Sequence, residues 1–328
     1  MSAAPSPSPS ATAKARIEAV VIGRNEGTRL LACLDSLRDQ VDRIIYVDSG
    51  STDGSVAAAK ARGATVINLD TEIKFTAARA RNAGLAAISD RCDFVQFVDG
   101  DCTVVDNWVA AAVGHLQSDP TCAVVCGRRR ERHPDASVYN RLCDWEWDTP
   151  IGPTRACGGD ALMRATALRQ VGGYRDELIA GEEPELCLRL ARNGWSLYRA
   201  DLEMTLHDAQ MLRFGQWWQR SRRAGFAFAE GAALHGSGPE RHWVAETRRA
   251  LIWGAGIPAV LMLVAATAGP GAALGAAIYP LQFLRLCRKM PAEVALFSVI
   301  GKFPEALGVI EARWLRLRGQ SRGLLEYK

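Results

Sequence analysis

The stretch Phe-Val-Gln-Phe-Val-Asp-Gly-Asp, residues 94–101, decides the fold class of this 328-residue chain. It begins as a short apolar run typical of a buried strand and ends in two carboxylates separated by one glycine. From the end of a strand, Asp99 and Asp101 can both reach one hard cation, and Gly100 lets the backbone approach it closely. We therefore expect a Mg²⁺ or Mn²⁺ site at a sheet edge, where the ion could also bind a diphosphate.

Short apolar runs alternate with helix-period segments on the N-terminal side of this stretch. We expect strands at residues 17–22, 43–47, 64–68 and 94–98, and helices at residues 28–38, 55–62 and 76–88. Strands that are apolar nearly throughout and separated by helices are typical of a parallel sheet covered on both faces. Right-handed crossovers then place the loops that follow the strands along one edge, where ligands bind.

Beyond residue 120 the pattern is less regular. It predicts strands at residues 123–126 and about 161–164, and helices near residues 183–193 and 215–234.

We divide the chain into a disordered N-terminal tail (1–15), an α/β domain (16–240) and a C-terminal, membrane-associated helical region (241–328). The tail is rich in Ser, Pro and Ala and has no apolar run, unlike a signal peptide, so we expect the folded body to stay in the cytoplasm.

The amino-acid composition excludes few classes of function. The net charge of +4 is too small to indicate a nucleic-acid partner, although it suits anionic ligands or an acidic lipid surface. The nine cysteines form no Cys-x-x-Cys pair, so we interpret them as reduced core thiols rather than disulfides or zinc ligands.

Residues 250–284 carry no charged side chain and are interrupted by Pro258, a Gly-Pro-Gly turn at 269–271 and Pro280. Each of the two resulting segments is shorter than the roughly 20 residues of a full helical span, which favours a hairpin or a re-entrant pair. Arginines and a lysine flank the run on both sides, which places both ends in the cytoplasm. We expect residues about 250–286 to anchor the chain at the cytoplasmic face of the inner or plasma membrane. The alternative is a pair of buried core helices.

A second motif, Val-Asp-Ser-Gly-Ser-Thr-Asp-Gly-Ser at residues 47–55, also follows a predicted strand. Such a sequence often does no more than cap the next helix. However, Asp48 lies at the strand end, where its carboxylate could accept hydrogen bonds from a base or a ribose.

Taken in order, these motifs resemble those of family 2 glycosyltransferases, which have the GT-A fold (a Rossmann-like mixed or parallel sheet). The likeness covers roughly residues 17–235 and identifies a bacterial, membrane-associated, inverting type. The matching segments are residues 20–26, 48–55, 80–84, 99–101, 158–164, 171–174 and 181–189.

The resemblance implies roles for individual residues. The donor nucleotide-sugar would be bound by Gly23, Asn25, Glu26, Asp48, Arg81, Asp99 and Asp101. The metal would be held by Asp99, Asp101 and His207. The family's catalytic base is the second acid of a Glu-Asp pair; here that position is Glu183, and Glu182 remains an alternative. A carboxylate at a helix start is stabilised as the anion, as a general base requires.

The acceptor side is less well defined. Gln219 and Arg222 keep the Gln-x-x-Arg spacing of an element found in processive members, but Arg223 replaces its tryptophan, which argues against processive polymer synthesis. Trp217 offers a flat apolar face for a sugar ring, and the arginines offer charge for a phosphate. A basic amphipathic helix lying on anionic lipid is the alternative. Asp160 is a further acceptor candidate.

We therefore expect sugar transfer from a nucleotide-sugar, UDP-linked rather than GDP-linked, to a lipid-linked saccharide or glycolipid in surface polysaccharide or glycoconjugate assembly. A polyprenyl-phosphate acceptor is the alternative. Two functions of other classes are alternatives. The first is nucleotidyl transfer, but Arg-Asn-Glu at 24–26 replaces the glycines that would cradle a triphosphate. The second is a non-catalytic scaffold of the same fold.

Overall fold

The computed structural model describes residues 14–320, apart from the side chains of Ala268, Pro270, Ala272 and Ala273. Residues 1–13 of the predicted tail and residues 321–328 of the C-terminal region lie outside the described range.

The N-terminal half alternates strands and helices as predicted. The elements are β1 (Ile17–Gly23), α1 (Thr28–Leu37), β2 (Arg43–Asp48), α2 (Ser55–Ala61), β3 (Thr65–Asn68), α3 (Ala77–Ala87) and β4 (Phe94–Asp99). Strand β1 pairs in parallel with β2 and β4, and β2 pairs in parallel with β3. Gly84 lets α3 cross closely over β1, because a Cβ there would lie 2.2 Å from Val20 Cγ1.

The second half of the domain adds antiparallel strands to the parallel part predicted for residues 17–98. Its elements are β5 (Cys102–Val104), α4 (Trp108–Ser118), β6 (Cys122–Glu131), α5 (Val138–Glu146), β7 (Gly152–Pro153), β8 (Ala161–Arg164), α6 (Ala165–Val171), α7 (Glu182–Arg192) and β9 (Ser196–His207). Strand β8 runs antiparallel to both β4 and β6, and β5 runs antiparallel to β9. The strand order is β3-β2-β1-β4-β8-β6-β9-β5, with β7 added against β9. The sheet is therefore mixed.

The main core fills both faces of this sheet. Apolar residues of the central strands are almost entirely buried, and so are those of α1, α3, α4 and α6 that face them. One polar pair lies inside this core: the indole nitrogen of Trp108 donates to Gln96 Oε1 at 2.9 Å. This satisfied contact fixes α4 against β4 without leaving a buried polar group unpaired.

The remaining chain is helical. Its elements are α8 (Phe214–His235), α9 (Val244–Leu251), α10 (Ile257–Ala268), α11 (Ile278–Leu286), α12 (Ala292–Ile300) and α13 (Lys302–Leu317). A π-helical segment, Ile252–Gly256, joins α9 to α10, and 3₁₀ turns at Pro270–Ala277 precede α11.

Within residues 14–320, one helix, Val244–Thr267, has the length and apolar composition needed to cross a membrane, and almost none of its apolar stretch is buried. The predicted break at the Gly-Pro-Gly turn is present, with Gly269 at φ 84°. The prediction of a short first segment was wrong, because the helix starts at Val244, before the uncharged run, and continues through Pro258. The π-helical segment Ile252–Gly256 lies directly before the proline and accommodates it within the helix.

The last helices fold back onto the α/β body. Helix α13 packs along α8 at close range: a Cβ at Gly308 would lie 2.0 Å from the Arg222 carbonyl oxygen, and one at Gly225 would lie 2.0 Å from that of Glu305. These glycines let the two backbones come together. The C-terminal region is thus attached to the domain by packed helices on both sides of its apolar segment.

Candidate active site

The loops after β1 and β2 are tied together at the carboxyl edge of the sheet. Asn25 adopts a left-handed conformation with φ 54°, and its Oδ1 accepts from the backbone nitrogen of Thr52 at 2.7 Å. The backbone nitrogen of Gly27 donates to Asp53 Oδ2 at 3.0 Å. Glu26 forms an ion pair of 2.6 Å with Arg29. The predicted donor-binding segment is therefore rigid and lies beside the second motif.

Asp48 ends β2 and is buried. Tyr46 donates its hydroxyl to Oδ1 at 2.9 Å, and the backbone nitrogens of Gly50 and Ser51 donate to Oδ2 at 2.9 and 2.8 Å. The carboxylate therefore shapes the turn, and a nucleoside would have to share these oxygens.

Glycines bring the ends of β1 and β4 close together. A Cβ at Gly100 would lie 3.1 Å from the carbonyl oxygen of Ile22, and a Cβ at Gly23 would lie 3.2 Å from Glu26 Cγ. These contacts are tight enough that larger residues would displace the loop that carries Glu26.

Asp99 lies between Arg81, which is buried, and Arg129, whose side chain is 14% exposed. Its Oδ1 is 2.7 Å from Arg81 Nη2, and its Oδ2 is 3.4 Å from Arg129 Nη2. Burial alone would raise the pKa of Asp99, but the two guanidinium groups outweigh it and lower that pKa. The Asp99 carboxylate is therefore ionised and already neutralised by protein groups.

Asp160, predicted as an acceptor residue, instead completes this charge cluster. It is fully buried, its Oδ2 is 2.7 Å from Arg129 Nη2, and Thr205 donates to the same oxygen at 2.7 Å. Its Oδ1 accepts from the backbone nitrogen of Asp99 at 3.0 Å. The structure thus places Asp160 behind Asp99, where it holds the end of β4.

Asp101 faces a different partner, His207 at the end of β9. Asp101 Oδ2 is 3.2 Å from His207 Nε2, and both residues are buried. Burial lowers the pKa of His207, but the Asp101 carboxylate outweighs it and raises that pKa. His207 Nδ1 points toward Glu131 Oε2 at 3.8 Å, too long for a hydrogen bond but within its electrostatic field.

This pair fits a divalent metal ion. Carboxylate oxygen and imidazole nitrogen are ligands that Mn²⁺ accepts, and a carboxylate behind the far ring nitrogen is a common support for a metal-binding histidine. Asp101, Cys102 and His207 each present a donor atom, all within 4.8 Å of one another. Asp99 was also predicted to bind this ion. It is less available to the ion than Asp101, because its carboxylate already pairs with Arg81 and Arg129.

Glu182 and Glu183 begin α7 with their side chains in different surroundings. Glu182 Oε1 is 2.7 Å from Arg81 Nη1, so one arginine bridges it to Asp99. Glu183 Oε1 accepts from the backbone nitrogen of Cys157 at 2.5 Å and from the Cys187 thiol at 3.0 Å. Burial raises the pKa of Glu183 above its ordinary value, despite these hydrogen bonds.

Both glutamates line a cleft of about 550 Å³ that also contacts α8 and α12. Gly159 lies on its wall, and a Cβ there would be 2.8 Å from Asp99 Oδ2, so the cleft adjoins the charge cluster. Of the predicted acceptor residues on α8, Trp217 and Arg223 line the cleft. Gln219 and Arg222 lie on other faces of the helix, and Arg222 pairs with Glu311 of α13 at 2.8 Å.

Residues 19–164 match the sequence profile of glycosyl transferase family 2. Residues 19–164 therefore form a family 2 glycosyltransferase domain. The family resemblance stated from the motifs is confirmed for this part of the chain.

Two curated relatives have names that agree with this family. The pre-mycofactocin glycosyltransferase of Mycobacterium tuberculosis is 28% identical over 235 residues, which cover 67% of this chain and 48% of the relative. The succinoglycan biosynthesis protein ExoA of Rhizobium meliloti is 25% identical over 60% of this chain and 64% of its own length. The chain thus spans about half to two thirds of these relatives.

Solved structures show the fold. The mannosyltransferase PcManGT from Pyrobaculum calidifontis, solved with GDP-Man and Mn²⁺, is 20% identical and has a TM-score of 0.64; the match covers 92% of this chain and 88% of that one. The Staphylococcus aureus TarS fragment 1–349 is 14% identical with a TM-score of 0.51, covering 93% and 92%. The GT-A fold is therefore confirmed, and the likeness includes the C-terminal helices.

The sequence did not reveal the roles of several residues near the site. Arg129 was not among the predicted site residues, yet it joins Asp99 to Asp160. Glu131 and the pair Cys157–Cys187 were not singled out at all. The signal for Arg129 and Glu131 was weak, because both lie on β6 after register shifts that local periodicity does not show.

Proposed function

We propose that this chain transfers a sugar from a nucleotide-sugar to a lipid-linked saccharide or glycolipid, with inversion at the anomeric carbon. One observation carries the proposal: the charge cluster at the carboxyl edge of the sheet adjoins a cleft that contains two buried glutamates. A donor diphosphate at the edge and an acceptor hydroxyl in the cleft would then meet between them.

We assign the donor to the edge formed by Gly23, Asn25, Glu26 and Asp48, with its diphosphate toward Asp101. The described charge cluster contains more carboxylates than arginines, which favours a divalent cation. Asp101 and His207 would hold that Mg²⁺ or Mn²⁺, with Asp99 nearby. When bound, the ion supplies a Lewis acid that stabilises the departing diphosphate. The PcManGT structure, with GDP-Man and Mn²⁺, is consistent with such a site in this fold.

We assign the catalytic base to Glu183 rather than Glu182. The Glu182 carboxylate is held in an ion pair with Arg81 and is therefore not free to approach an acceptor hydroxyl. Glu183 has no arginine partner among the described residues, and burial raises its pKa, as suits a general base. Glu183 takes the proton of the acceptor hydroxyl, the hydroxyl oxygen attacks the anomeric carbon, and the bond to the diphosphate breaks.

The acceptor proposal rests on the walls of the cleft. Trp217 of α8 and Phe297 of α12 supply apolar surface, and Arg220 and Arg223 supply positive charge. The C-terminal helices also expose large apolar side chains, among them Met262 at 68% and Leu263 at 65%. Such a surface indicates contact with lipid. We infer that the chain sits at the cytoplasmic face of a membrane and receives an acceptor held there.

The test is turnover of a panel of nucleotide-sugars by full-length protein in detergent, with Mn²⁺, and with lipid-linked saccharide and polyprenyl phosphate as separate acceptors. We expect one donor to be consumed, with UDP-sugars tested first and GDP-mannose second. Asp101→Ala is expected to abolish turnover, as is a chelator. Release of pyrophosphate from a nucleoside triphosphate would favour nucleotidyl transfer. Donor binding without turnover would favour a scaffold.

A further inference from the structure

Two buried cysteines flank the carboxylate of Glu183. Cys157 Sγ and Cys187 Sγ are 3.6 Å apart, and Cys187 Sγ is 3.0 Å from Glu183 Oε1. The donor atoms of the three residues all lie within 4.8 Å of one another, and each residue is less than a tenth exposed. Cys157 precedes β8 and the other two residues are one turn apart on α7, so the cluster has a rigid base.

These distances suit a tetrahedral, thiophilic cation. With Zn–S bonds of about 2.3 Å, two sulfur ligands of one zinc ion lie roughly 3.8 Å apart, and a sulfur and a carboxylate oxygen lie roughly 3.5 Å apart. The sulfurs are therefore already close to the required separation, and the carboxylate oxygen needs to move by only about half an ångström. Three protein ligands leave a fourth position for water.

The cluster can be reached from outside. Cys187 lines a cavity of about 910 Å³ between α7 and the start of α9, whereas Glu183 lines the cleft of about 550 Å³ on the other side. Pro184 lies on the wall of both. An ion therefore has two approaches to the three side chains.

We propose that Cys157, Glu183 and Cys187 form a binding site for Zn²⁺ or another thiophilic divalent cation, separate from the Asp101–His207 site, and that its occupation stops sugar transfer. Binding forms two metal–sulfur bonds and one metal–oxygen bond and releases two thiol protons to solvent. The bound carboxylate can no longer accept the proton of the acceptor hydroxyl. This inhibitory effect rests on the proposed role of Glu183, whereas the binding itself does not.

Binding is tested without activity. Full-length reduced protein, saturated with Mn²⁺, is titrated with Cd²⁺ while the thiolate-to-cadmium charge-transfer absorption is followed. We expect a saturable signal in the parent protein and in the matched control Cys92→Ser, a buried cysteine elsewhere in the core. We expect loss of the signal in both Cys187→Ser and Cys157→Ala, each checked for folding by circular dichroism. A signal that persists in both variants, or that disappears in Cys102→Ser instead, would overturn the site.

Inhibition is tested next, with Zn²⁺ added to the transfer assay in excess Mn²⁺. Half-inhibition of Cys187→Ser should require roughly tenfold more Zn²⁺ or more than the parent, because one ligand is lost. Equal sensitivity of the two proteins would overturn the inhibitory role. If no transfer activity exists at all, the proposed function fails while the Cd²⁺ signal still decides the site.

Discussion

The sheet edge and the helical region after residue 244 differ in which side chains they bury. The edge buries charged side chains, whereas the helical region exposes apolar ones. At the edge, charged side chains are buried and each has a partner: Asp160 is fully buried and pairs with Arg129 at 2.7 Å. In α10, apolar side chains such as Leu263 are 65% exposed and have little of the protein to pack against. Both arrangements cost free energy unless something compensates, because buried charge needs a counter-charge and apolar surface needs a non-aqueous neighbour. The edge supplies its own compensation, whereas the helix would receive it from the membrane that we propose as its neighbour.

The largest effect should come from breaking the compensation at the edge. Asp160→Ala removes the fully buried partner of Arg129, whose side chain is itself only 14% exposed, so we expect the free energy of unfolding to fall by about 3–5 kcal/mol. Urea denaturation of detergent-solubilised protein measures it. The matched control is Asp148→Ala, since Asp148 pairs with Arg128 at 2.6 Å but is 52% exposed, and should change stability by about 1 kcal/mol or less. Equal losses in the two variants would show that water reaches the cluster.

The membrane side of the comparison is tested by a single charge. Leu263→Lys should weaken binding to phosphatidylcholine–phosphatidylglycerol vesicles by about 3 kcal/mol, because a lysine replaces a leucine in the apolar helix. Co-sedimentation measures the partition. Ile73→Lys is the matched control, since Ile73 is 56% exposed in a loop of the α/β domain, and should bind vesicles like the parent. Unchanged binding of Leu263→Lys would mean that this helix does not enter the lipid.

Much of the sheet edge could be predicted from sequence because its signals are local. A short apolar run that ends in polar or glycine residues indicates the end of a strand, and four such runs predicted the strands β1 to β4 along the chain. Which charges meet could not be predicted. Arg129 reaches Asp99 only because β6 carries register shifts next to it, and Asp160 reaches both only because β8 returns antiparallel between β4 and β6. Such pairings depend on long-range topology.

In the helical region, the sequence shows the apolar character of the segment but not where its helices begin or what they pack against. Its apolar composition is evident in the sequence, but the start of the helix is not, because a charged first turn and Pro258 both suggested a boundary. The return of α13 onto α8 was also not predicted. It depends on glycines, Gly225 and Gly308, whose small size matters only when a second helix lies against them.

The two acids of α7 provide the next test, since one belongs to the charge cluster and the other does not. Glu183→Gln keeps the shape but removes the base, so transfer should fall by about 10² or more while donor binding persists. In the parent, transfer should decline as the pH falls through the raised pKa of Glu183, because the base must be ionised. Glu182→Gln is the comparison and should weaken donor binding through Arg81. Normal transfer by Glu183→Gln, measured as nucleoside diphosphate release, would place the base elsewhere.

The smallest expected effect concerns Glu230 of α8, a carboxylate without the close ion pair found at the sheet edge. Burial and the charge of Glu177 raise its pKa from 4.5 to about 7 despite the opposing charge of Arg316, and its Oε2 has no hydrogen-bond partner among the described residues. Between these pH values the native state binds more protons than the unfolded state, so stability falls as pH rises, and the full cost is present above pH 7.

Glu230→Gln removes this cost. We expect stabilisation of roughly 1–2 kcal/mol at pH 8 and almost none at pH 4, measured by urea denaturation across this range. Glu240→Gln should act in the opposite direction, because Arg192 lowers the pKa of Glu240 to about 2. That variant should be less stable than the parent at pH 8. If Glu230→Gln were destabilising at pH 8, the attraction of Arg316 would outweigh the cost of burial, and Glu230 would be compensated in the same way as the charges at the sheet edge.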